Sequence, residues 1–287
     1  MLIDLLDPLV QFCTDYSTEI LLTLIATITS AIAGVLGFGG GMLLIAIMPG
    51  FLPAAVIIPI HGLVQLVSNS SRVALSLSHV AWHLLPQFLI GSAIGLAVFS
   101  TLLFNLSSEY IPLAIGSYIL LNLWSKPFAN TMKRFESFYI VGALQTGLSL
   151  IVGATGPLTQ NILLKKLNNK DQIIATGAIF MSISHLAKIA VFGMIGFQFR
   201  EYFLILILMS LGAILGSYIG SKVRKKVDNK MYIRVIKYLL SLLAIKMIFF
   251  ALALSLICQS ISNSVAIGAN FCLNSSSPNG NELALMQ

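Results

Sequence analysis

Charge is what this chain has least of: only 9% of its 287 residues are Asp, Glu, Lys or Arg, against about 25% in a soluble domain. That density cannot cover a water-facing surface, so an ordinary soluble fold is excluded. Carboxylates are missing altogether from the long apolar runs 20–48, 84–104, 110–125, 137–164, 172–199, 202–221 and 238–257; Glu109, Glu136, Asp171 and Glu201 stand at their edges. A cation carrier, or a pump relaying protons through carboxylates, normally needs one inside the membrane. The first 19 residues hold no Lys or Arg but carry Asp4, Asp7, Asp15 and Glu19, unlike a cleaved secretory signal, which needs a basic start. Three cysteines, Cys13, Cys258 and Cys272, share no metal-type spacing; Cys258 and Cys272 are free to pair outside the membrane or simply to fill apolar space. His-Glu-x-x-His, Gly-x-Ser-x-Gly and Gly-x-x-x-x-Gly-Lys are all absent, so the chain offers no zinc site, no nucleophile turn and no phosphate loop. No metal or cofactor is expected, and an intramembrane enzyme lacks its parts.

What is present is apolar: 57% hydrophobic residues and a mean hydropathy of +0.93. A membrane-crossing helix needs about 20 apolar residues, which the runs supply, whereas a membrane β-barrel would show short alternating strands. The sequence therefore reads as an all-α polytopic membrane protein. Its net charge of +7 does not mark a nucleic-acid partner, because the basic residues lie between apolar runs, where they set orientation against membrane lipid.

The chain divides into two related halves. Gly37 stands 116 positions before Gly153, and the same offset pairs Gly40 with Gly156, Ser68 with Ser184, Asn69 with His185 and Arg72 with Lys188. An offset of 121 pairs Gly91-Ser-Ala-Ile-Gly95 with Gly212-Ala-Ile-Leu-Gly216, two small-xxx-small helix-packing motifs. Run 20–48 as one helix would be about 43 Å long in a core of about 30 Å, yet Gly37-Phe-Gly-Gly-Gly41 interrupts it; Gly153-Ala-Thr-Gly-Pro157 interrupts run 137–164 in the same way. Each interrupted run is expected to be a re-entrant hairpin followed by three transmembrane helices, the two sets inverted in the membrane. The expected units are an outward segment 1–19, membrane repeats 20–127 and 128–257, and a polar outward tail 258–287. This arrangement puts Arg72–His83, the loop of Lys126, Lys133 and Arg134, Lys165–Lys170 and the basic loop Lys222–Lys237 all inside, as the positive-inside rule requires. Eight plain spans, the alternative, would leave Lys126, Lys133 and Arg134 outside.

Candidate binding residues follow from the breaks. Unwound backbone survives at membrane depth only against protein or a water-filled cavity, and half-helices starting after Gly41 or Pro157 would aim free N–H groups at an anion. Gly37, Gly39, Gly40, Gly41, Gly153, Thr155 and Gly156 are therefore candidates, against the plainer role of close helix packing. His61, Gln65, Ser68, Asn69 and Arg72 form a polar stripe on the following helix, with Ser184, His185 and Lys188 their counterpart. Arg72 and Lys188 would hold an oxyanion, unless Arg72 only snorkels to lipid phosphates. The histidines either titrate near neutrality or merely pack. Lys246 reads as structural or interfacial, Trp82 and Trp124 as interfacial anchors, and His79 and His83 as solvated.

Gly34-Val-Leu-Gly-Phe-Gly-Gly-Gly41, with its echo Gly153-Ala-Thr-Gly-Pro157, resembles the motif of the sulfite exporter TauE/SafE family, over about residues 20–257. The resemblance implies a bacterial inner-membrane permease for sulfite, organosulfonates and related sulfur anions. Ala154, Thr155 and Pro157 depart from the family's usual glycine run, which bears on the exact substrate. Residues and resemblance together predict a secondary transporter of a small anion, working by alternating access, alone or with further copies of itself. A non-transporting assembly or receptor subunit, docked through the Lys222–Lys237 loop, is the competing expectation.

Overall fold

A computed structural model describes residues 16–103, 110–134, 136–224 and 229–264. Expectations about Asp4, Asp7, Asp15, Cys13, Glu109, Cys272 and the tail beyond 264 fall outside those residues. Eleven α-helices are described: α1 Ser17–Leu36, α2 Gly40–Ile47, α3 Ala54–Ala74, α4 Leu85–Leu103, α5 Ile111–Trp124, α6 Lys126–Arg134, α7 Phe138–Val152, α8 Gly156–Lys166, α9 Lys170–Met194, α10 Phe203–Val223 and α11 Asn229–Ser264. Among them α1, α3, α4, α9, α10 and α11 are long and apolar enough to cross a bilayer, while α2, α5 and α7 are shorter apolar helices.

Glycine decides where the long runs break. Gly37 ends α1 at φ 86° with its N–H on the Ala33 carbonyl, and Gly39 precedes α2 at φ 90°. Both angles lie where a side chain is disfavoured. Gly153 ends α7 at φ 73°, and α8 begins at Gly156 with Pro157 in its first turn, where a missing N–H costs nothing. The half-helices thus start at Gly40 and Gly156, slightly earlier than expected. Two expected loops are helical: Lys126–Arg134 forms α6, and most of the basic segment Lys222–Lys237 lies in α10 and α11. Helix α11 also runs on to Ser264, past the expected start of the tail at 258.

Small residues let the helices close up. A Cβ at Gly91 or Gly95 of α4 would strike the carbonyls of Tyr139 and Ala143 on α7, and one at Gly216 or Gly220 of α10 would strike those of Thr27 and Ala31 on α1. Both small-xxx-small motifs are therefore used up inside the fold. The two most extensive helix pairs are α1 with α10 and α7 with α4; α3 packs on α9, and α5 on α11. Exchanging the first half for the second turns the first pair into the other and leaves the last two in place.

The outside is greasy. Ile90, Ile94 and Val98 of α4, Leu211 and Leu215 of α10, and Leu242, Phe249 and Phe250 of α11 are exposed. No soluble protein presents apolar faces of this extent, so the surrounding medium and first partner is lipid. Trp82 and Trp124 are exposed, as are His79 and His83. Lys246 is exposed on α11. Polar groups are buried instead along α3 and α9, whose mutual contact forms the centre of the molecule.

Candidate functional site

Helix α3 turns its polar stripe inward: His61, Gln65, Ser68, Asn69 and Arg72 are all buried, as are Ser184, His185 and Lys188 of α9. Lipid contact is ruled out for each of them, Arg72 included, so the snorkelling alternative does not hold. Six of the expected residues meet at one point. The Nε2 of His61 donates to the Gly41 carbonyl at 2.9 Å. A Cβ on Gly41 would sit 3.1 Å from Gln65 Oε1, and one on Gly153 would sit 3.8 Å from His61 Nδ1. Lys188 Nζ donates to the Gly153 carbonyl at 2.6 Å and lies 3.3 Å from His185 Nδ1. The two imidazole rings meet edge-on, with centroids 5.7 Å apart and planes at 75°. Both broken helices thus reach the same pair of histidines, one through Gly41 and the other through Gly153.

Lys188 is the charge at this centre. Its stem lies against Gly62, where an added Cβ would come within 2.9 Å of Cδ. Among the described residues its ammonium bonds to a carbonyl and an imidazole, and no carboxylate faces it. A buried cation without a counterion costs several kcal/mol, which an anion arriving here would offset.

Arg72 and Asn69 lie at the other break. Arg72 donates to the Ala33 carbonyl at 3.2 Å, to the Ser68 carbonyl at 3.4 Å and to Asn69 Oδ1. Beside it Arg224 donates to the Gly34 carbonyl at 2.9 Å and pairs with Asp171 at 2.8 Å. The two guanidiniums therefore serve the carbonyl end of α1, where the helix dipole is negative. Gly37 packs on Ile174, Gly39 faces Ile236, and Gly40 lies hard against Thr29 and Ala33 of α1. Thr155 Oγ1 donates to the Gln145 carbonyl at 2.9 Å, and Gly156 faces Met181. Asn69 links the break after α1 to the central group, its Nδ2 donating to the Gln65 carbonyl at 2.6 Å and lying 3.5 Å from Gln65 Oε1.

Residues the sequence reading passed over complete the setting. Ser68 donates to Ser30 of α1 at 3.0 Å and lies 3.2 Å from Ser217 of α10. Ser184 lies 2.9 Å from Thr146 of α7, which donates to Ser92 of α4 at 2.8 Å, while Gln145 Nε2 donates to Ser184 at 3.2 Å. Ser30 and Thr146 stand 116 positions apart, a signal that was there to be read. Arg224 carried none, since it sits in a basic cluster that looks like an inner loop.

Glycine-broken apolar helices, six of them long and apolar enough to cross a bilayer, packed around a buried cation define a multi-pass helical membrane protein. The model of the sulfite exporter TauE/SafE family matches residues 22–247, and the chain belongs to that family. With its polytopic helical architecture, membership makes it a secondary anion transporter of the inner membrane. No curated protein and no solved structure matches it.

Proposed function

We propose that the chain carries a small sulfur-containing oxyanion, such as sulfite or an organosulfonate, by alternating access of two inverted repeats, 20–127 and 128–257. Each repeat opens with a re-entrant hairpin, α1–α2 or α7–α8, and both termini lie on the outer side. The reciprocal packing of α1 on α10 and α7 on α4 supports the repeats, and internal repeats with a site between them are a recurring carrier design. Lys188 carries the reading: it is wholly buried at the Gly153 break, beside His185, and among the described residues no carboxylate faces it. The anion sits against Lys188, His61, His185 and the backbone at Gly41 and Gly153. Arg72 lies at the neighbouring break, with Asn69. Proteoliposomes loaded with labelled sulfite, alkanesulfonates and carboxylates supply the test. Uptake of the sulfur anions is expected, and wild-type rates in both Arg72→Gln and Lys188→Gln would refute the roles assigned to these cations.

A further inference from the structure

Hydrogen-bond chemistry assigns the protons at the centre. A carbonyl only accepts, so His61 must carry its proton on Nε2 to bond Gly41; in the neutral ring Nδ1 is then a bare acceptor. An ammonium only donates, so His185 Nδ1 accepts from Lys188 and the proton of that ring lies on Nε2. Among the described residues, neither outer atom, His61 Nδ1 or His185 Nε2, has a partner although both are buried, and the same holds for Gln65 Nε2. Lys188 has used two of its three N–H groups. Buried polar atoms in folded proteins nearly always find partners, so this set is waiting for one.

The set is lopsided. Its open positions are donors on Lys188, His185 and Gln65, which suit anionic oxygens, and one acceptor, His61 Nδ1. Gln65 Oε1 lies 3.5 Å from Asn69 Nδ2, and Gln145 Oε1, also without a partner among the described residues, belongs to the amide that bonds Ser184. A fully ionised oxyanion would push an oxygen lone pair against that nitrogen lone pair. Protonating His61 would relieve the clash but place a second positive charge beside Lys188, a like-charge arrangement the burial disfavours. The groups bearing on the pair are His185 and Lys188 of α9 and, on α3 itself, Arg72, which acts on His185. Helix α2 and the break after α7 bring backbone, and Arg224, the residue after α10, stands with Arg72 at the carbonyl end of α1.

Resting on the anion-carrier reading above, we propose that, of the two cargoes named there, the site favours the one that can keep a hydroxyl, singly protonated sulfite, with His61 Nδ1 accepting the hydrogen bond of that hydroxyl and an organosulfonate binding more weakly. The proton then crosses the membrane on the cargo, and no carboxylate relay is needed. His61 is the specificity-determining residue; His185 and Lys188 hold the charged oxygens.

An isosteric pair of probes isolates the hydroxyl. Methylphosphonate at pH 6 and methanesulfonate are both tetrahedral monoanions with one methyl group, and only the former has an O–H. Binding to the full-length protein in detergent is measured for both and for sulfite, at pH 6 and pH 8.5. The wild type is expected to prefer methylphosphonate at pH 6 by about tenfold or more, since sites built around a substrate hydroxyl reject analogues lacking it. At pH 8.5, where methylphosphonate is a dianion, the preference should vanish. His61→Phe keeps a planar ring and removes the acceptor together with the donor to Gly41, so it should bind both probes alike; His185→Gln should weaken the binding of both probes and leave their ratio as in the wild type. Equal wild-type binding of the two probes at both pH values overturns the proposal and leaves anion transport standing, with a water occupying the space between the rings. Failure of all three probes to bind would instead remove the anion site itself.

Discussion

Adding one methyl group at Gly62, which has no side chain of its own to contact the anion, should weaken anion binding by displacing Lys188. An alanine Cβ there would lie 2.9 Å from Lys188 Cδ, whereas carbon atoms settle about 3.5–4.0 Å apart. The lysine stem must withdraw by about 0.6–1 Å, and the bond from Nζ to the Gly153 carbonyl, now 2.6 Å, lengthens toward breaking. A hydrogen bond to a charged group is worth about 1.5–3 kcal/mol, and displacing the side chain from its rotamer costs about 0.5–1.5 kcal/mol more. Against that, replacing glycine by alanine inside a helix gains about 1 kcal/mol. The balance is a net loss of about 1–3.5 kcal/mol, and a comparable loss in binding would lower sulfite affinity by about fivefold or more. Gly193→Ala is the internal control: it lies on α9 with nothing within 4 Å of the added carbon, so it should be neutral or slightly stabilising. Detergent thermal-shift and equilibrium binding read both quantities. If Gly62→Ala proves as stable as Gly193→Ala and binds sulfite like the wild type, the ammonium is not held where the argument needs it.

Single cysteines at Ser125 and Asn168 should both react with an impermeant maleimide from the inner face only; reaction from opposite faces would defeat the hairpin topology. Gly95→Leu and Gly216→Leu should each abolish folding or assembly in the membrane, because a Cβ alone already meets the carbonyl of Ala143 or Thr27; expression and size-exclusion profiles report this. Asp171→Asn should impair transport more than it lowers the melting temperature of the whole, since it frees Arg224, which spans α9 and the end of α1. Glu136 is held below the usual carboxylate range by its bond to Lys165. Its contribution is therefore present at neutral pH and fades as pH falls through the lowered value, but both partners are exposed, so Glu136→Gln should leave neutral-pH stability within error of the wild type.

Local features of the chain were legible before any coordinates. Scarce charge announced lipid contact, and glycine at Gly37 and Gly153 announced interrupted helices, because φ near +80° is a property of single residues. The small-xxx-small pairs at Gly91 and Gly212 were legible as packing motifs, though not which helices they would meet. Less visible was anything decided by a partner far away. Gly41 belongs with His61 and Gln65 while Gly37 belongs with Ile174, a sorting within five residues that depends on how α2 folds back along α1. Arg224 looked like one more inner-loop cation, since nothing in its neighbourhood reveals that it reaches the Gly34 carbonyl. The helical character of Lys126–Arg134 was hidden by composition: its charges read as a loop, while period-3.6 patterning in nine residues is too short to assert itself.

The cations and the breaks are best understood as one device. A continuous helix consumes its carbonyls four residues on; interrupting it releases the last few, which must find donors if they are buried. At the end of α1 the Gly34 carbonyl receives Arg224, while the Ala33 carbonyl, which already holds the Gly37 N–H, takes Arg72 as a second donor; at the end of α7 the carbonyl of Gly153 receives Lys188. The break thereby supplies the partial negative charge that makes a buried cation tolerable, and the cation supplies the donor that makes a buried break tolerable. Neither would persist alone in the membrane interior. This is why Arg72 and Lys188 keep the same 116-residue offset as the glycines. Because a carbonyl is only a partial charge, the compensation is incomplete, and what remains is an electrostatic deficit that a mobile anion can fill and vacate. A carboxylate in place of the carbonyl would have closed the deficit permanently and left nothing for a substrate to do.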